Sequence, residues 1–145
     1  MELDMRTFRF PAGRIVTDPA ANRRWYDDWG VMAGGCDCAY CRNFLAAVEG
    51  LPKPLLDFME MLGVDIRKPD ETAENGREAN GSHRYSAWYH LSGTLLEDGE
   101  ETVLAKGCTY CFQSACYLRA EHFPSPHFQL NLELCLPWVL EEPRD

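Results

Sequence analysis

The sequence predicts an α+β domain, a mainly antiparallel sheet of about five or six strands packed against two short helices. Three observations lead there. Apolar and polar residues alternate along much of the chain after residue 84, most cleanly at Phe128, Leu130, Leu132, Leu134 and Leu136. That is the pattern of strands with one buried face. Two stretches between residues 43 and 62 carry apolar residues at helical spacing instead. The order is strands, helices, then strands again, without the βαβ alternation of a parallel sheet. At 145 residues, a single domain over residues 1–145 is expected, with ample chain for one core.

Residues 5–18 read as two strands, Phe8 and Phe10 alternating with Thr7 and Arg9 before a turn at Pro11-Ala12-Gly13. Asp18-Pro19 ends that run. Residues 19–35 read as irregular, an aromatic stretch (Trp25, Tyr26, Trp29) that packs back on the core as a lid. A short helix follows over Asn43 to Val48, closed by Gly50 and Pro52. A second runs from about Pro54 to Leu62, with Leu55, Leu56, Met59 and Leu62 on one face and Gly63 at its end. Residues 67–83, rich in Gly, Asn, Asp and Glu, read as a solvated loop. Tyr85, Ala87, Tyr89 and Leu91 mark a strand to about Leu96, and Asp98-Gly99 is the hairpin signal that returns Thr102 to Phe112 as its partner. Residues 116–122 read as another short strand, and Pro137 ends the last one.

The net charge of −9 argues against nucleic acid and anionic membrane as partners and favours a basic protein partner or a cationic ligand. No stretch of about 20 apolar residues is present, so no membrane-spanning helix is expected. Met1-Glu2-Leu3-Asp4-Met5 lacks the basic start of a secretory leader. A cytoplasmic, reducing setting is therefore expected, in which the seven cysteines are not structural disulfides.

The chemistry concentrates at Gly34-Gly35-Cys36-Asp37-Cys38-Ala39-Tyr40-Cys41. Two thiolates separated by two residues can bite one zinc ion, and Cys38/Cys41 has an echo in Cys108/Cys111. Together they have the composition of a four-cysteine structural site, although such pairs usually stand ~15–20 residues apart, far closer than here. Cys36 gives an alternative set, three thiols needing one partner such as His83 or His90. Opposite parity sends Cys108 and Cys111 to opposite faces of a regular strand, so joint chelation requires a bulge near Gly107.

Cys38-Ala39-Tyr40-Cys41 also resembles the Cys-Pro-Tyr-Cys site of glutaredoxins, which likewise precedes a helix; it departs at Ala39. The resemblance spans these four residues and implies thiol redox chemistry, with a helix N-terminus favouring the first thiolate. The upstream strand and βαβ order of that family are missing. No P-loop, dinucleotide fingerprint, Gly-x-Ser-x-Gly or His-Glu-x-x-His is present. The expected function is therefore a small acidic, non-enzymatic protein-binding domain, stabilised by zinc at Cys36, Cys38, Cys41, Cys108 and Cys111. The alternative is a thiol-redox enzyme using Cys38 and Cys41.

Overall fold

The computed structural model describes residues 4–28, 37–114, 123 and 125–142. Over these it shows an α+β fold of three helices and two antiparallel sheets. The first hairpin forms as the alternation predicts, Arg6–Phe10 (β1) against Gly13–Thr17 (β2). The chain then departs from expectation. Pro19–Asp28 is a helix (α1), not an irregular stretch. Asp18 caps it through Oδ1, which accepts from Ala21 N at 3.1 Å, and proline at the first helical position is pre-set for the turn. The expected lid does pack: Tyr26 is buried, and Trp25 meets the ring of Phe123 at 4.5 Å. Trp29 lies outside the described residues.

The next helix, Ala39–Ala47 (α2), starts a full turn earlier than the sequence suggested, because the Cys38 side chain serves as its cap. Lys53–Leu62 (α3) matches expectation and ends at Gly63. Its Leu55, Phe58, Met59 and Leu62 are buried. Within the supposed loop 67–83 lies a strand, Glu71–Arg77 (β3). It is polar because it is an edge strand, bonded on one side only and half exposed.

The single strand expected from residue 84 to about Leu96 is two, His83–Ser92 (β4) and Thr94–Asp98 (β5), which the chain divides at Gly93 between two sheets. β5 joins β2, giving the order β1-β2-β5. The predicted hairpin through Asp98-Gly99 therefore does not form. Thr102–Ala105 (β6) instead turns at Lys106-Gly107 to pair with Cys108–Gln113 (β7). His127–Leu136 (β8) is the central strand, paired on one side with β7 and on the other with β4. The larger sheet thus runs β3-β4-β8-β7-β6. The strand expected at 116–122 lies outside the described residues.

One face of this sheet builds the core. Tyr85, Ala87, Tyr89 and Leu91 of β4 stand beside Leu130, Leu132, Leu134 and Leu136 of β8 under the helices. Phe44 of α2 meets Tyr85 at 5.8 Å, and Phe58 of α3 meets Tyr110 at 4.9 Å. The small sheet closes the far end, with Phe10 against Phe58, Tyr110 and Phe112.

β3 covers the edge of β4 only as far as Trp88, whose carbonyl accepts from Asp70 N at 2.7 Å. Beyond it, α1 takes over. The Tyr26 hydroxyl accepts from His90 N at 3.0 Å and donates to His90 O at 2.7 Å. One turn back, Asn22 Oδ1 accepts from Ser92 N at 2.9 Å. Two side chains thus do for a strand edge what another strand's backbone would do.

Candidate functional site

Cys38, at the N-terminus of α2, is exposed, while Cys41 one turn on is buried. Cys41 N donates to Cys38 Sγ at 3.5 Å, so the first thiol satisfies one of the helix's otherwise orphaned amides. Cys41 Sγ faces Thr72 Oγ1 of β3 at 3.9 Å. The same helix end sits over the start of β4. Tyr85 donates its hydroxyl to Tyr40 O at 2.9 Å, and Asn43 Nδ2 reaches that hydroxyl at 3.4 Å. Burial pushes the Tyr85 phenol up to about 12 against the opposing Asn43 bond, with Glu74, Cys41 and Cys38 adding to the rise. Thiols, carboxylate and phenol thus share one electrostatic neighbourhood.

His83 opens β4 on this same core face. Its ring is buried, lying 5.1 Å from Trp138 and 6.1 Å from Tyr40. Nδ1 stands 3.2 Å from Glu74 Oε1 on β3. Nε2 is buried and has no hydrogen-bond partner among the described residues. The C-terminal segment closes the neighbourhood: Asn43 binds Pro137 O and Val139 N, and Arg42 pairs with Glu142.

The second cysteine pair lies elsewhere. β7 is three strands from β3, on the order of 14 Å across the sheet at ~4.8 Å per strand. Cys108 pairs with Leu134 and Cys111 with Asn131, so the two sit on opposite faces, as their parity requires. Cys108 is buried on the core face, its thiol pushed up to about 12 by burial with Cys135 adding. Cys111 faces the other way, accepts from Asn131 Nδ2 at 3.8 Å, and is also raised by burial, with Asn131 opposing. Gly107 makes the β6–β7 turn rather than a bulge between the two thiols. The structure therefore does not bring Cys38 and Cys41 together with Cys108 and Cys111. Cys36 lies outside the described residues. Among the described residues, no three His, Cys, Asp or Glu side chains gather around one centre in a metal-holding arrangement.

His90, the other histidine considered as a ligand, is on the outward face and so is separated from the α2 thiols by the sheet. Sequence reasoning missed Glu74 and Thr72, which fell in the supposed loop, and Trp138. Models of known protein families, curated proteins and solved structures give no match to this chain.

Proposed function

We propose that this chain is a non-enzymatic, protein-binding domain in which the thiols at the start of α2 hold a structural zinc ion, with His83 as a ligand. One observation supports the metal above all: the His83 imidazole is buried with a carboxylate at Nδ1 and nothing at Nε2. A buried polar atom without a partner costs about 1–3 kcal/mol. A carboxylate behind Nδ1 is the usual companion of a metal-bound imidazole, and it leaves the Nε2 lone pair for the ion. Cys38 and Cys41 supply the two-residue bite, and Cys36 is the third thiolate of the reading. Cys108 and Cys111 are left out of the set by the sheet register. The binding half rests on the charge of −9, which suits a basic protein partner.

Protein purified without chelator is expected to carry stoichiometric zinc, lost in Cys41→Ser and in His83→Ala but retained in Cys111→Ser. Removing the metal should lower the thermal midpoint, since binding energy of a structural ion is folding energy. Metal-free wild-type protein would end this reading. Association with a basic partner is expected to weaken steeply as salt rises, and salt-independent binding would argue against recognition by charge.

A second reading is favoured by one specific contact. The exposed Cys38 sulfur accepts an amide N–H at a helix N-terminus, the arrangement that stabilises an attacking thiolate. In that case metal-free protein would alkylate at Cys38 readily at about pH 7, below the ordinary thiol pKa of about 8.5. Slow alkylation of all thiols at that pH would remove the redox reading as well.

A further inference from the structure

The outward face of the larger sheet carries a second polar site, independent of the α2 thiols. At its centre, His90 of β4 stands directly opposite Gln129 of β8. Both are 1% exposed. Among the described residues, each has one polar atom without a partner, Nε2 of His90 and Oε1 of Gln129. Two such orphans on one cross-strand pair are not scattered defects, because paired residues stand only ~5 Å apart at Cβ.

The chemistry of the two atoms is the same. The Gln129 amide nitrogen donates to Gln113 Oε1 at 3.0 Å and to Asn131 Oδ1 at 2.7 Å, so its oxygen is left as an acceptor. Nδ1 of His90 faces Asp70 Oδ2 at 3.9 Å, beyond hydrogen-bond length but close enough to favour the proton on that nitrogen. Nε2 is then a lone pair. Burial, with His127 adding, lowers His90 to about 4, so the ring is neutral at pH 7. Two adjacent acceptors need donors.

The surroundings favour a positively charged donor. Asp70 lies beside His90, while Glu133 lies four residues from Gln129 along β8 on the same face, about 13 Å away, its carboxylate accepting from Ser86 Oγ at 2.7 Å. Trp88, partly exposed, is two residues from His90 on that face, about 7 Å along the strand. An indole two residues along the same face is within reach of a ligand longer than a single ammonium group, and an indole face attracts cations. The ring of Phe123 stands 6.0 Å from His90 and forms an apolar wall.

We propose that this face binds a small organic cation bearing N–H donors, a primary amine or guanidinium, with Gln129 Oε1 and His90 Nε2 as its acceptors and Trp88 beside it. A buried water also donates two hydrogen bonds, but it gains nothing from the Asp70 carboxylate or the indole. The two differ in a titration.

The full chain is titrated at low salt with 1,4-diaminobutane, and with 1,4-butanediol as the uncharged control, followed by amide NMR shifts and tryptophan fluorescence. Saturable diamine binding is expected with a dissociation constant below about 1 mM, with shifts centred on β4 and β8 and no response to the diol. Gln129→Met and Trp88→Phe should each weaken it by about tenfold or more while the remaining amide spectrum is kept. Asp57→Asn, on the exposed face of α3, should leave it unchanged. No saturation, equal binding of the diol, or equal losses in all three variants would overturn the proposal. Either of the first two would mean that a water fills the pair, or that another part of the chain does. The third would mean that the diamine is only a counterion to an acidic surface. Zinc content does not enter these readouts, so this result and that of the α2 site stand or fall separately.

Discussion

Asn22→Leu is expected to destabilise the domain by about 3–5 kcal/mol, although leucine keeps the branching and the number of side-chain heavy atoms of asparagine. The side chain is fully buried and makes three hydrogen bonds. Nδ2 donates to Thr17 Oγ1 at 2.9 Å and to Leu62 O at 2.8 Å, while Oδ1 accepts from Ser92 N at 2.9 Å. It therefore joins the end of β2, the end of α3 and the uncovered edge of β4. Leucine leaves a backbone N–H and a backbone C=O buried without partners, at about 1–3 kcal/mol each, and the Thr17 hydroxyl less constrained. Against a total stability of about 5–15 kcal/mol this is a large share. The thermal midpoint should fall by on the order of 10 °C. Tyr26→Phe, which removes one hydroxyl serving His90 N and O, is expected to cost about 2–3 kcal/mol by the same mechanism. Denaturant unfolding of the two variants measures both. A loss below about 1 kcal/mol for Asn22→Leu would mean that water replaces the amide and that α1 does not complete the sheet edge.

This arrangement explains why part of the fold was legible in the sequence and part was not. Hydrophobic period reports which face of an element is buried, and it placed β1, β2, α3 and β8 well. It says nothing about elements held chiefly by polar contacts. α1 carries Arg23, Arg24, Asp27 and Asp28, and its anchors are an amide and a phenol, so an apolar count misses it. The readable signal is Asp18-Pro19, a cap residue before a first-turn proline, which equally marks the end of a strand. β3 was hidden for a related reason: an edge strand needs neither an apolar face nor bonds on both sides. Strand partners were the third gap. Asp98-Gly99 has turn chemistry, but β5 pairs with β2, far back in the chain, and no local pattern encodes that pairing.

The candidate site divides the same way. Parity alone separated Cys108 from Cys111, and the register of β7 on β8 bears that out. The position of Cys38 just ahead of a helix was visible in the sequence, but its role as the cap of a helix that starts at Ala39 rather than Asn43 was not. The relation of His83 to Glu74 was not, because it depends on β3 existing at all and on the irregular register between Glu74 and Arg77. Residues that meet across strands can be recovered from a sequence only after the pairing is known.

The switch of the chain between sheets gives the other large expectation: Gly93→Ala should prevent stable folding or cost more than about 4 kcal/mol. Gly93 has φ +103°, a backbone conformation L side chains rarely adopt, which alone costs about 1–2 kcal/mol. A Cβ there would also lie 1.9 Å from the backbone oxygen of Val16. That oxygen belongs to β2, which pairs with β5 immediately after the switch, so it cannot move without disturbing the β2–β5 ladder. Two other glycines separate strain from clash. Gly76 has φ +123° with open space around it, so Gly76→Ala should show the conformational cost alone. Gly50 has neither a positive φ nor a neighbour within 4 Å, so Gly50→Ala should be neutral or slightly stabilising. Unfolding curves for the three variants should rank Gly50, Gly76, Gly93 in rising cost. If Gly93→Ala matched Gly76→Ala, the close passage of the chain over Val16 would not be a fixed feature of the fold. The two sheets would then be joined by a yielding bend rather than by a crossing that only glycine fits.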